Sequence, residues 1–282
     1  MKLINYFISS GLIATILFSS TTIPLTSCEK VIHDTTTITI RDTIVLTDTA
    51  CSLELGLVAY YNFNNSSLKD LSGKGNDIVF NNATPTVGRN GVPNSAFLFN
   101  GQSSYMKILN SPSLNPNKIT LMATIKVNGF FEGTCHANQI VGKGYPDQIN
   151  GYYSLRFLDA NSDCYGPVNV NTEFFSGAYG DYLTGNVAGA NADTSFVQTA
   201  RWYTVIYTYD GNESRIYVDG NLKNVVQKAA RFTPNTQDVF IGRHENPAFP
   251  YWFNGVIDEV RIYDRALCSC EISKLSYTKA VQ

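Results

Sequence analysis

Charge is scarce in this chain. Only 16% of its 282 residues are charged, and the formal net charge is −2. Nucleic-acid binding would call for Lys and Arg gathered on one face, so a sparse, balanced composition excludes that class of partner. Histidine is also rare: three scattered residues, with Cys-Ser-Cys beside none of them, give no zinc-ligand spacing. No glycine-rich phosphate loop, HExxH or GxSxG pattern occurs, which removes the usual signatures of phosphate-loop nucleotide hydrolases, zinc proteases and α/β-hydrolases. Long apolar runs are missing as well. The most apolar stretch, residues 4–18, is interrupted by Asn5 and by Ser9-Ser10-Gly11, and falls short of the ~20 apolar residues of a membrane-spanning helix.

What the N-terminus does contain is an export signal. Lys2 precedes the short apolar stretch, as in a secretory signal peptide. Leu25-Thr26-Ser27-Cys28 then resembles a bacterial lipobox. That reading makes residues 1–27 a lipoprotein signal peptide and Cys28 the lipidated first residue of an exported protein. The protein is then held on a membrane face of the cell envelope, at the outer membrane or cell surface, rather than spanning it. Asn-x-Ser/Thr triplets such as Asn82-Ala83-Thr84 carry no glycan in that setting. Residues 28–50 are rich in Thr and Asp and lack aromatics, which suits a tether. Their Thr-Ile-Thr-Ile alternation leaves an added strand as the competing reading.

Residues 51–282 are abundant in Tyr, Phe, Asn, Gly and Thr, the composition of one all-β domain with many turns. Asp210-Gly211 and Asp219-Gly220 each separate alternating runs, a hairpin signal because tight primed turns need positive φ. In VIDEVRIY the same alternation puts Val256, Asp258, Val260 and Ile262 on one face and Glu259, Arg261 and Tyr263 on the other. WYTVIYTYDG…RIYVDG followed by FNGVIDEVRIYDRAL resembles the laminin-G-like, concanavalin A-like jelly-roll family. GLVAYYNFNNSSLKDLSGKGND resembles its opening strand and loop, and AFLFNGQSSYMKI its next hairpin. The likeness covers residues 55–277. It implies a two-sheet antiparallel β-sandwich, a fold that hosts lectins, hydrolases and adhesive modules alike.

The resemblance carries further expectations. Jelly-roll termini lie together, which pairs Cys51 with Cys268 or Cys270 and leaves the other outside the bond. Cys135 and Cys164 form the second pair. An acid at the position of Asp258 commonly joins a structural calcium site in the family. The matching donors here are Asn64 and the Gly101 carbonyl, with Asp70 and Asp77 as further candidates. The alternative for Asp258 is hydrogen bonding to backbone amides.

Catalysis of glycan hydrolysis needs two carboxylates, about 5–9 Å apart, which many enzymes of this fold carry on one strand as Glu-x-Asp-x-x-Glu. None of Glu54, Glu132, Glu173, Glu213, Glu245, Glu259 or Glu271 has an acid two residues later, so the chain reads as a non-enzyme. Two stretches have the composition of a sugar-binding surface, aromatic rings mixed with amides and acids: residues 159–200 and RHENPAFPYWF at 243–253. If they share a rim, Tyr179, Tyr182, Tyr251 and Trp252 are the stacking candidates, with Asp181, His244 and Asn246 as polar partners. Tyr153 falls in phase with Leu155 and Phe157, leaving Tyr152 facing outward. The reading that results is a lectin-like domain that binds glycan or polysaccharide. The alternatives are an adhesive module for a cell-surface protein, or a hydrolase with unusual carboxylates.

Overall fold

The structure, a computed structural model, describes residues 51–133, 136–145, 150–159 and 172–276, with side chains left out at 193–195. The signal peptide, Cys28, the tether and the pair Cys135–Cys164 lie outside the described residues. All described residues belong to one compact unit, 42–282.

Fifteen strands and one helix are formed among them. In chain order the strands are β1 (Leu57–Tyr61), β2 (Ile78–Asn81), β3 (Thr84–Thr86), β4 (Ala96–Asn100), β5 (Met106–Ile108), β6 (Ile119–Gly129), β7 (Asn138–Lys143) and β8 (Tyr152–Leu158). They continue with β9 (Phe174–Asp181), β10 (Asn186–Phe196), β11 (Trp202–Tyr209), β12 (Glu213–Val218), β13 (Asn221–Gln227), β14 (Val239–Ile241) and β15 (Asn254–Tyr263). Helix α1 (Ser269–Ser276) closes the domain. Two antiparallel sheets result. The first runs β13-β12-β11-β6-β15-β4-β3, with β1 also on β15; the second runs β10-β9-β8-β7-β14-β5-β2.

Alternation sorts the side chains. Leu121, Ala123, Ile125 and Val127 of β6 and Val205, Tyr207 and Tyr209 of β11 meet Leu155, Phe157, Phe175 and Tyr179 of the second sheet in one buried core. Gly177 is the point of closest approach: a Cβ there would sit 2.2 Å from the Tyr207 ring. The β12–β13 turn is the tight one the sequence signals, with positive φ at both Asp219 and Gly220. On the outer side of the first sheet, Ile272 and Leu275 of α1, with Leu267 just before it, cover Met122, Ile206, Tyr217 and Tyr263.

One face assignment is overturned. The register of β15 against β6 shifts between Ile257 and Glu259. A bulge adds a residue and flips the phase, so Ile257, not Val256, joins Val260 and Ile262 in the core. Asp258 is the residue at the bulge, and its side chain leaves the core face.

The termini meet beneath α1. Cys51 is bonded to Cys270, while Cys268 stays outside that bond with its sulfur 3.0 Å from that of Cys270. Arg265 donates to the carbonyls of Leu55 and Ser52 and to both carboxylate oxygens of Glu271, and Lys274 donates to the Cys51 carbonyl.

Candidate functional site

The second sheet carries its distinctive chemistry on the side away from the core. In β8, Tyr153, Leu155 and Phe157 point inward, so Tyr152, Ser154 and Arg156 point outward. Register places Arg156 beside Gln139 of β7, and Ser154 beside Gly142, which in turn neighbours Phe240 of β14. Over this face lies the segment 242–253, folded as a hairpin arm. Phe253 donates to the Gly242 carbonyl and His244 to the Pro250 carbonyl. Alternation across such an arm sends Arg243 and Trp252 to one side and His244 and Tyr251 to the other.

The Arg243 side is an aromatic patch. Its guanidinium lies 4.8 Å from the Tyr105 ring, 5.2 Å from Phe240 and 5.3 Å from Trp252. Phe80, 39% exposed, stacks on Tyr105 at 4.6 Å. Two backbone carbonyls, those of His244 and Glu245, hold the Arg243 fork in place. Burial lowers its pKa from the ordinary arginine value. Fixed rings around a fixed cation form a surface on which a flat, partly apolar ring can stack.

The His244 side is buried. The imidazole is 3% exposed, 5.1 Å from the Tyr251 ring and 6.1 Å from Tyr145. Burial, reinforced by the Arg156 and Arg243 charges, pushes its pKa down to about 4, so the ring is neutral at pH 7. Neither ring nitrogen makes a well-formed hydrogen bond, while the Phe249 backbone acts on the ring and offsets part of that lowering. Tyr251 holds a left-handed backbone (φ 46°), a strained conformation for a non-glycine, and its carbonyl accepts from Gln139 N.

Several expected ligand residues are elsewhere. Tyr179 is core: 1% exposed, stacked between Tyr209 and Phe232, with its hydroxyl donating to the Pro116 carbonyl. Its alternation matches Phe175, and the loop-like composition around it concealed a strand. Asp181 is buried and organises loops by accepting from Gly151 N and from the amide and hydroxyl of Thr233. Tyr182 is 47% exposed but packs on Tyr152; ring contacts among the described residues do not link it to Tyr251 or Trp252. Asn246 caps the arm's own turn, accepting from Ala248 N. The structure therefore brings together Trp252, Tyr251 and His244 on one arm and separates them from Tyr179, Asp181 and Tyr182. Reading by segment missed Phe80, Tyr105, Phe240 and Arg243 around Trp252. Phase exposes only Lys107, between buried Met106 and Ile108; Phe80 is in phase with buried Ile78 and turns outward through a bulge between the two, which no alternation reveals.

The expected calcium donors already hold protein contacts. Asp258 Oδ2 accepts from Arg89 N at 2.7 Å, and burial raises its pKa. Gly101 is tied to Phe253, and neighbouring Asn100 pairs with Asn254. That is four to five residues along β15 from Asp258, roughly 15 Å. Asn64 sits in an exposed turn after β1. Asp70 accepts four donors (Tyr60 N, Ser72 N, Ser72 Oγ and Asn76 N), and Asp77 pairs with Lys69. Asp70 and Asp77 are thus engaged by protein donors, and Asp258 holds one at Oδ2. Among the described residues, no group of three or more His, Cys, Asp or Glu is placed to hold a metal.

Carboxylates from different segments do approach one another at Glu245, whose pKa is pushed up to about 7 by burial and by Asp238. Asp238, however, accepts from Asn110 N and lies 3.4 Å from Lys107. Lys143, fully buried and lowered to about 8 by desolvation, donates to Asn110 and feels both acids. This is an internal ion network rather than two acids facing each other across an open cleft.

The family model for the concanavalin A-like lectin/glucanases superfamily (Laminin_G_3) matches residues 100–273. The chain belongs to that superfamily. No curated protein matches it in sequence. Among solved structures it is similar to domain 4 of AbnA, an extracellular GH43 arabinanase from Geobacillus stearothermophilus, solved with arabinotriose. That match has 20% identity and a TM-score of 0.53, covering 78% of this chain and 98% of the other. It is also similar to the binding domain of Paraclostridial Mosquitocidal Protein 1, at 15% identity and TM-score 0.59, covering 80% of this chain and 52% of that one. The botulinum neurotoxin serotype D binding domain matches at 13% identity and TM-score 0.54, covering 80% and 52%. The chain thus spans about half the length of these toxin domains. At such identities the likeness establishes the fold.

Proposed function

We propose that this chain is a non-catalytic carbohydrate-binding protein of the cell envelope, exported and anchored through a lipid on Cys28. The observation that carries the reading is the patch of Phe80, Tyr105, Phe240 and Trp252 around Arg243. Aromatic faces stack on the apolar face of a sugar, and the neighbouring Arg and amides serve its hydroxyls. The arabinanase domain solved with arabinotriose supports the reading by analogy of fold. The test is a broad glycan array probed with the purified full-length chain. Specific signal that falls at least ~10-fold in Trp252→Ala, a loss of about 1.4 kcal/mol, is the expected result. An array silent for the native chain would sink the proposal.

A second reading has its own support. Phe80 stacks on Tyr105 while Phe240 and Trp252 tilt against it, and two clefts among the described residues, of about 450 and 300 Å³, lie elsewhere, at Tyr60–Arg261 and at Asp219–Ser276. An aromatic surface of this kind suits adhesion to a protein, the next hypothesis if the array is silent.

A further inference from the structure

Two buried side chains, Gln139 and His244, and the half-buried Arg156 meet behind the arm, each with a buried polar atom left without a well-formed hydrogen bond. Gln139 is 1% exposed, and its Oε1 accepts nothing while its Nε2 donates to the Val141 carbonyl. Arg156, its cross-strand neighbour, has a buried Nε with no acceptor. Among the described residues no carboxylate pairs with the Arg156 guanidinium, although the other ion pairs of the domain engage Arg201, Arg215, Arg231, Arg261 and Arg265. His244, close enough for its titration to sense both Arg156 and the Phe249 backbone, has no well-formed hydrogen bond at either nitrogen. An orphaned buried polar group destabilises the fold, and few occur in a folded protein.

The unmet chemistry is specific. Gln139 Oε1 needs a donor. Neutral His244 needs one donor and one acceptor. Arg156 needs an acceptor, and an unpaired guanidinium in a desolvated setting prefers an anionic, bidentate one. Hydroxyl-rich rings satisfy the first two demands, and a carboxylate or sulfate satisfies the third.

We propose that Gln139, Arg156 and His244 form a polar subsite that selects acidic sugars, with Arg156 holding the anionic substituent and Gln139 and His244 the adjoining hydroxyls. This inference rests on the carbohydrate-binding reading and adds the class of sugar to it. Arg156 is half-buried rather than sealed, so the anionic group meets it from the solvent side.

The test uses matched pairs on the full-length chain: oligogalacturonate against its fully methyl-esterified form, and a sulfated cello-oligosaccharide against the unsulfated one. The two pairs separate carboxylate from sulfate. The acidic member of at least one pair is expected to bind ~10-fold or more tightly than its neutral twin, with the preference shrinking as salt rises. Arg156→Gln should erase that preference and leave neutral-ligand affinity and melting temperature in place, while Arg156→Lys retains part of it. Equal affinity for both members of each pair, or a preference that survives Arg156→Gln, overturns the acidic subsite and leaves the carbohydrate reading standing. No binding by any member, together with a silent array, overturns both.

Discussion

The domain gathers buried polar groups in two places, and they are satisfied in opposite ways. Where the termini meet, Arg265 spends its fork on Glu271 and on the carbonyls of Leu55 and Ser52. Burial alone would raise the Glu271 carboxyl, but hydrogen bonds from Arg265 and Cys268 overcome it and hold it below the usual carboxylate value. Behind the arm at 242–253, buried Gln139 and His244 and half-buried Arg156 each keep a buried polar atom unmet. A closed network ties chain ends together and asks for nothing further. An open one has accepted a cost in stability that only a bound partner returns. The contrast assigns structure to the first region and recognition to the second, and each assignment can be broken separately.

The largest effect is expected at the termini. The Cys51–Cys270 bond joins residues 219 apart. Closing a loop of that size contributes on the order of 5 kcal/mol in a chain-entropy account. Cys51→Ser should lower the melting temperature by roughly 10–20 °C while leaving any glycan affinity at lower temperature unchanged. A drop of only a degree or two would show that Arg265 and Lys274 already hold the ends.

Next comes the contrast of two aromatic residues that the sequence alone treats alike. Tyr179→Ala opens a cavity between Tyr209 and Phe232 and strips a hydrogen bond, which should cost about 4 kcal/mol of stability. Trp252→Ala, at the half-buried edge of the patch, should cost less than about 1 kcal/mol and act on binding instead. Equal stability losses would dissolve the distinction between core and patch.

That pair also shows what was legible in the sequence. Strand alternation and Asp-Gly turns suffice for antiparallel strands with one buried face, because period-two burial is a local property; the two-sheet sandwich followed from the family resemblance. Meeting of the chain ends follows from the family's topology, down to Cys51 with one of two neighbouring cysteines. The site was legible only in part. Trp252, Tyr251 and His244 lie on one short arm and stay together in any fold. Their partners Phe80, Tyr105 and Phe240 come from three other segments, joined by register that no local pattern encodes. Asp258 failed for a different reason: a one-residue bulge moves a side chain off its face, and the alternation on either side looks continuous. Arg156, the lone charge of YYSLRFL between inward-facing Leu155 and Phe157, was not among the candidates, and its lack of an ion-pair partner is visible only in three dimensions.

Acid and base titration should separate neighbours within the arm itself. Glu245 has its pKa raised to about 7 by burial and Asp238. Its folded form holds a proton that the unfolded chain releases near the ordinary carboxylate value of about 4.3. Its contribution to stability is therefore full below that value and lost as pH rises to about 7. His244, lowered to about 4 from 6.5 by burial and Arg156, works in the other direction. Its contribution is present above 6.5 and lost as pH falls toward 4. The two slopes oppose across nearly the same window. In Glu245→Gln the remaining His244 slope should make stability rise with pH between 4 and 6.5, relative to the native chain. In His244→Gln stability should fall with pH up to about 7. Parallel pH profiles for both variants would show that neither group is as desolvated as its place behind the arm implies.

The smallest expected effect concerns metal. A calcium site at the bulge would need Asp258 to offer oxygen lone pairs, yet its Oδ2 already accepts from Arg89 N, and Gly88 packs so tightly that a Cβ there would meet the same oxygen at 2.4 Å. The amide does the work of ordering the loop that a cation would otherwise do, and it does so without the further ligands calcium requires. Chelator should then leave the melting temperature within about 1 °C. Asp258→Asn, which keeps one acceptor and removes the burial cost of a charge, should be close to neutral. A chelator-dependent drop of several degrees that disappears in Asp258→Asn would place a cation at the bulge, and with it a second recognition element on the sheet opposite the arm.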